Sequence, residues 1–268
     1  MKRLRDVASV LLAVIILFPL AYALSASFFA RGDFTTLPAR FLPSTFTPSN
    51  YVRAFASSNL ARYLYNSLVT AIMGTGLRMV VCLAAAYSLT TFEYRGREAI
   101  FLILVASMLL PGDALLLANY LEVRRMGLVN TYLGLVVTGI FSPTAVFLLR
   151  QYFLTVSPEY REAAYLEGCS DLRFMMTMLA PMSKSVLLAI AVQSFTGYFN
   201  AYLWPLLVTS RDSMRTVQVG LTMLGFSETY DLGPQFAAIV FLTAPMLLLV
   251  LAMRRRIFEG ISTRFSGR

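Results

Sequence analysis

The feature that most constrains this chain is a series of apolar stretches, each about as long as a bilayer is thick. A helix needs about 20 apolar residues to cross a hydrocarbon core of about 30 Å. Val7–Ala30, Asn130–Leu149, Ser185–Ser210 and Leu232–Met253 reach that length without a charge, and Ile100–Leu121 reaches it with one acid, Asp113. Tyr63–Thr91 is also long enough but carries Arg78 near its middle. The reading is a single all-α membrane domain over residues 1–268, with six spans at about 7–30, 63–91, 100–121, 130–149, 185–210 and 232–253. Composition agrees, since 57% of residues are hydrophobic and only 14% charged, where soluble domains carry about a quarter charged.

Lysine and arginine in short loops set orientation. With the N-terminus inside, fourteen of the 23 Lys and Arg fall in the inner segments, among them Arg95, Arg97, Arg150, Arg161, Arg173 and Arg254–Arg256. Eight fall outside, so the expected topology is N-in and C-in. The net charge of +9 then reflects topology, not a nucleic-acid partner, because the arginines are scattered between apolar runs. The N-terminal run is longer than a signal-peptide core and more spans follow, so it reads as an uncleaved first span. Residues 31–50, rich in Pro, Thr and Ser, read as an outer loop.

Chemistry is restricted in turn. The chain has no histidine and two cysteines, Cys82 and Cys169, so it holds neither a zinc–histidine site nor a Ser-His-Asp triad, and no disulfide framework is suggested. Its lysines, Lys2 and Lys184, do not follow a glycine, so it lacks a phosphate-binding P-loop.

The inner loop of about 151–184 contains "EAAYLEGCSDLRFMMTMLAP", residues 162–181. Ser157 is placed to cap a helix, Pro158 suits its first position, Glu159 favours its positive end, and Gly168 can end it in a left-handed conformation. A second helix can start at Ser170–Asp171. Leu172, Met175, Met176 and Leu179 then recur at helical spacing as one apolar stripe, with Pro181 beyond. By patterning alone, a solvated hairpin linking two spans and a docking element fit equally well.

The spacing of Glu162-Ala163-Ala164, Gly168 and Pro181 resembles the EAA loop of ABC importer permeases. Other segments are similar in the same order: "NSLVTAIMGTGLRMVVCLAAAYSLTTFEYRGRE", "VNTYLGLVV", "FLLRQYF" and "YLWPLL". The resemblance covers the chain from about residue 7 to its tail and is to the smaller permease subunit of carbohydrate-uptake importers of the maltose and glycerol-3-phosphate type. These are the binding-protein-dependent inner-membrane components. Two departures are Ala180, where the family often has leucine, and Phe199, where it commonly has tryptophan before Asn200.

The resemblance implies a type I importer permease fold with a cytoplasmic coupling helix, in the inner or plasma membrane of a bacterial or archaeal cell. It implies a second, homologous permease subunit, two copies of a cytoplasmic ATP-binding subunit and an extracytoplasmic solute-binding protein as partners. ATP and Mg belong to the ATPase, with no cofactor bound by this chain. Glu162, Ala163, Ala164, Gly168, Asp171 and Pro181 are then the ATPase-coupling residues. The cargo is a sugar or a glycerol-phosphate-type solute.

Within the spans, Gln193, Gly197, Asn200 and Trp204 are spaced to share one helix face. Such a stripe is either a wall of the pathway or packing between helices, and both readings stay open. Asn66, at the start of the second span, joins the pathway candidates. Arg78 is costly at mid-bilayer unless paired or hydrated. It is either a partner of Asp113 or a charge for an anionic solute. The alternative to a permease is an ion-coupled carrier or a non-transport membrane scaffold. The first would more naturally show repeats and acidic coupling sites, and neither explains the Glu-Ala-Ala loop.

Overall fold

The structure is a computed structural model that describes residues 2–57, 59–225 and 232–262, and among these no strand occurs. In chain order the helices are α1 (Lys2–Ala26), α2 (Ser49–Ser57), α3 (Leu60–Thr91), α4 (Arg97–Ser107), α5 (Leu116–Arg125), α6 (Tyr132–Gly139) and α7 (Pro143–Phe153). There follow α8 (Glu159–Leu166), α9 (Asp171–Met182), α10 (Lys184–Phe199), α11 (Leu203–Val208), α12 (Val217–Gly225) and α13 (Leu232–Ser262).

Several expected spans are broken helices. Among the described residues, α1 from Arg5 and α3 are single helices long and apolar enough to cross a membrane, and α6–α7 and α9–α10 qualify as bent pairs, at 53° and 84°. The third stretch stops at Ser107 and resumes as helix only at Gly112. Pro111 explains this, because it disfavours helical backbone at Leu110 and offers no N–H itself. The fourth breaks before Pro143, where the Ser142 hydroxyl accepts the Ala145 N–H at 3.3 Å as an N-cap. The fifth breaks at Asn200–Tyr202 and restarts as α11, with Pro205 in its first turn.

The chain divides into two compact bodies. The first comprises Met1–Tyr65 and Arg215–Arg254. Its stretch of residues 31–50, expected as an outer loop, is organised on two buried polar side chains. Asp33 accepts the Ala30 N–H at 3.0 Å and the Ser44 N–H at 3.2 Å. Asn50 donates to the Ser27 and Phe29 carbonyls, each at 2.9 Å. The rings of Tyr22, Phe29, Phe34 and Phe236 pack in pairs beside them.

The second body comprises Asn66–Met214 and Arg255–Arg268. Its core joins the C-terminal half of α3 (Cys82, Leu83, Ala86, Tyr87, Leu89) to Leu104, Val146, Leu149, Phe153, Phe174, Met175, Leu179 and Ile190. Ala164 belongs to the same cluster, so the polar loop is anchored in a continuous apolar core. The last carbonyls of a helix have no intrahelical partner, and arginines grip those of α3. Arg150 Nε donates to Leu89 O at 3.3 Å and Arg161 Nη1 to Thr91 O at 3.0 Å, and Arg97 Nη1 donates to Phe92 O, just past the helix, at 3.3 Å. Cations at this end also suit the helix dipole. Arg150 is buried, lies 3.9 Å over the Phe101 ring and pairs with Glu98 at 2.8 Å.

Candidate functional site

The loop between α7 and α10 is two helices joined at a glycine. Gly168 has φ +75°, the left-handed region that favours glycine. The Cys169 N–H bonds Ala164 O and the Gly168 N–H bonds Tyr165 O, both at 2.9 Å. These two bonds are a Schellman motif, which closes α8 and sets the exit angle of the chain. Ser170 then caps α9 through its hydroxyl, accepting the Arg173 N–H at 3.4 Å. The entry to α8 differs from expectation. Pro158 is the N-cap and is itself in helical conformation, and no side chain caps it.

The expected stripe of Leu172, Met175, Met176 and Leu179 is corrected. Residues Met175–Leu179 form a π-turn, which adds about one residue to the turn and shifts the register. Met175 and Leu179 are buried with Phe174, while Leu172 and Met176 are exposed. Pro181 is exposed and lies in the last turn of α9, just before the bend into α10.

The two alanines of the motif divide the labour. Ala164 faces the core, and Ala163 lies exposed beside exposed Glu162. Leu166 is 91% exposed and Leu172 is 67% exposed. This leaves an outward surface that includes the carboxylates of Glu159 and Glu162, one small residue and two leucines on rigid helices. Such a surface can enter a cleft, its small residue permitting close approach.

Beneath that surface lies a cluster that the sequence did not suggest. Asp171 accepts hydrogen bonds from the Tyr87 hydroxyl at 2.6 Å and from the Tyr165 hydroxyl. Arg161 donates to Tyr165 Oη through Nε at 3.0 Å and Nη2 at 2.8 Å, and its Nη2 lies 3.7 Å from the Asp171 carboxylate. The bond from Tyr165, then that from Tyr87 and the charge of Arg161, hold the Asp171 carboxyl below the usual carboxylate range.

The stripe of Gln193, Gly197, Asn200 and Trp204 is not one continuous face. Gln193 and Gly197 lie in α10, Asn200 is its C-cap, and Trp204 sits beyond the break in α11. Gln193, Gly197 and Asn200 do share an exposed face, and a Cβ on Gly197 would meet nothing within 4 Å. Trp204 is half-buried and donates its indole N–H to Gly134 O at 3.2 Å. Asn66 is fully buried, donating to Ser213 O at 2.9 Å and accepting from the Tyr132 hydroxyl at 2.8 Å.

Arg78 closes a junction of three elements. Its Nε donates to Gly139 O at 2.8 Å, where α6 ends, and its Nη1 to Ser194 Oγ of α10 at 3.2 Å. The guanidinium lies 4.7 Å over the Tyr198 ring, and the Tyr198 hydroxyl donates to Val136 O at 3.3 Å. The junction is tight, because a Cβ on Gly74 would lie 2.6 Å from the Tyr198 ring and one on Gly139 2.7 Å from its hydroxyl. Asp113, one of the two alternatives for Arg78, has its side chain outside the described residues.

The chain is similar to known proteins. The family model of binding-protein-dependent transport system inner membrane components matches residues 80–262. The sn-glycerol-3-phosphate transport system permease protein UgpE of Agrobacterium fabrum is 31% identical over 92% of this chain and 91% of its own length. The diacetylchitobiose uptake system permease protein NgcG of Streptomyces coelicolor is 29% identical over 94% of this chain and 85% of its own. A solved bacterial ABC transporter involved in the import of the acidic polysaccharide alginate superposes with a TM-score of 0.85, covering 95% of both chains at 21% identity. That likeness shows the fold.

Proposed function

This chain belongs to the family of binding-protein-dependent transport system inner membrane components, and from that premise we propose that it forms half of the solute pathway of an ATP-driven importer. The chain is a transport permease subunit, not an enzyme. Its proposed setting is an assembly with a second, homologous permease, two copies of a cytoplasmic ATPase and an extracytoplasmic solute-binding protein. The chain crosses the membrane six times with both termini inside. The broken stretches count as spans, since irregular backbone at membrane depth is tolerated where it is buried in protein or lines a water-filled cavity.

The observation that carries this reading is the loop at residues 159–182. It presents Glu162 and Ala163 outward from helices fixed by the Gly168 turn, and Ala164 roots it in the core. A rigid protrusion rooted in this way can carry a two-state displacement of a partner into the spans. Glu162 pairs with a basic group of the ATPase, and Gly168 holds the angle between α8 and α9. The open face of Gln193, Gly197 and Asn200 is a pathway wall, with amides suited to solute hydroxyls. Arg78 supports that wall from behind through Ser194 of α10, while Asn66 and Trp204 brace neighbouring segments at Ser213 and Gly134.

The cargo proposed is a sugar or a glycerol-phosphate-type solute, after the relatives named above. The test is the complete complex in liposomes with its binding protein, offered diacetylchitobiose and sn-glycerol 3-phosphate separately. Stimulated ATP hydrolysis by either, with uptake, supports the reading. Hydrolysis indifferent to both would refute this cargo class.

A further inference from the structure

We infer that Asp171, Tyr87, Tyr165 and Arg161 form the joint by which movement of the α8–α9 loop is passed to α3. The inference rests on the docking reading above and names what lies behind the docked surface. α8 contributes Arg161 and Tyr165, α9 contributes Asp171 at its first residue, and α3 contributes Tyr87 and the Thr91 carbonyl. One carboxylate oxygen, Oδ1, is shared by tyrosines from two different helices. Arg161 spans from that same tyrosine of α8 to the end of α3. The loop and α3 therefore cannot move apart without breaking hydrogen bonds to charged groups, which are the stronger kind.

The route continues along one rigid element. α3 runs unbroken from Leu60 to Thr91, and thirteen residues before the end it carries Arg78, which holds Gly139 at the end of α6 and Ser194 on α10. Gly139 lies beside the break before Pro143 and Ser194 within α10, and α10 with its C-cap Asn200 bears the open face of Gln193, Gly197 and Asn200. Displacement of α3 along its axis thus reaches the pathway wall by a second route, beside the direct chain connection from α9 into α10. The four joint residues are positioning residues. They touch neither nucleotide nor cargo, and Glu162 and Ala163 remain the docking pair.

The test uses the complete complex in nanodiscs, with Mg-ATP as the only probe, and hydrogen exchange of two peptides, one in the loop (159–182) and one at the end of α3 (85–91). Tyr87→Phe removes one hydroxyl and keeps the ring, which packs edge-on against Phe92. Asp171→Asn keeps the shape and removes the charge. In wild type, ATP changes exchange in both peptides. In either variant the ATPase stays bound and the loop responds, while the α3 response weakens about tenfold, as befits one lost hydrogen bond to a charged group. Asp171→Glu restores part of it. An α3 response unchanged in both variants overturns the joint, as does loss of the ATPase from the variants alone, since the cluster would then only shape the docking surface. An absence of ATPase from the wild-type complex overturns the docking reading itself, and the joint with it.

Discussion

Gly168 is the residue on which the loop's geometry turns. A Cβ there would meet nothing within 4 Å, so the cost of Gly168→Ala is conformational, about 1–2 kcal/mol for a left-handed alanine. Uptake by the reconstituted complex is expected to fall while insertion into the membrane stays normal; wild-type uptake would remove the glycine from coupling. Asp171 supplies a pH signature. Its folded-state pKa is lowered, so its contribution is present above its unfolded value and lost as pH falls through the folded one. The stability gap between wild type and Asp171→Asn in detergent should be full at neutral pH and shrink below about pH 4. Arg78→Ala should lower thermal stability by about 1–3 kcal/mol, because Gly139 O and Ser194 Oγ lose a charged donor. It should impair uptake of a neutral sugar and a phosphate ester equally; loss confined to the phosphate ester would restore Arg78 to the pathway.

At the scale of elements, what was legible in sequence was local. Gly168 and the Ser170 cap are recognisable because a left-handed turn and an N-cap each depend on a few adjacent residues. The breaks at Pro111, Pro143 and Asn200–Tyr202 also had local signals, but long apolar runs read as single spans because hydropathy is blind to backbone continuity. The π-turn left no mark, and it moved Leu172 and Met176 out of the expected stripe. The joint was invisible for another reason: Tyr87 meets Asp171 across 84 positions, and Arg161 meets Thr91 across 70. Such partners emerge only from packing. The junction at Tyr198 makes its own prediction. Gly74→Ala places a methyl against the ring and should destabilise the folded protein by about 1–3 kcal/mol through overpacking, measurable as a lower Tm. An unchanged Tm would show that the ring yields freely.

For the whole molecule, one loop presents an outward surface, an apolar core anchors it, and α3 leads from it to the proposed pathway wall. The expected topology, with both termini inside, places Gly168 and Arg254–Arg256 on the same side of the membrane. Of cysteines introduced one at a time at Leu37 and Leu166, both highly exposed, the first should label in intact cells and the second only after the membrane is opened; the converse pattern would reverse the topology. The central claim, that the α8–α9 loop seats an ATPase this chain lacks, is tested most directly by purifying the chain from its native membrane and assaying the eluate for ATP hydrolysis. An ATP-hydrolysing subunit is expected to co-elute with wild type. That subunit is expected to be lost with Gly168→Pro, whose ring cannot adopt the observed φ, while the second permease is retained. A wild-type eluate with no ATP-hydrolysing partner would contradict the claim.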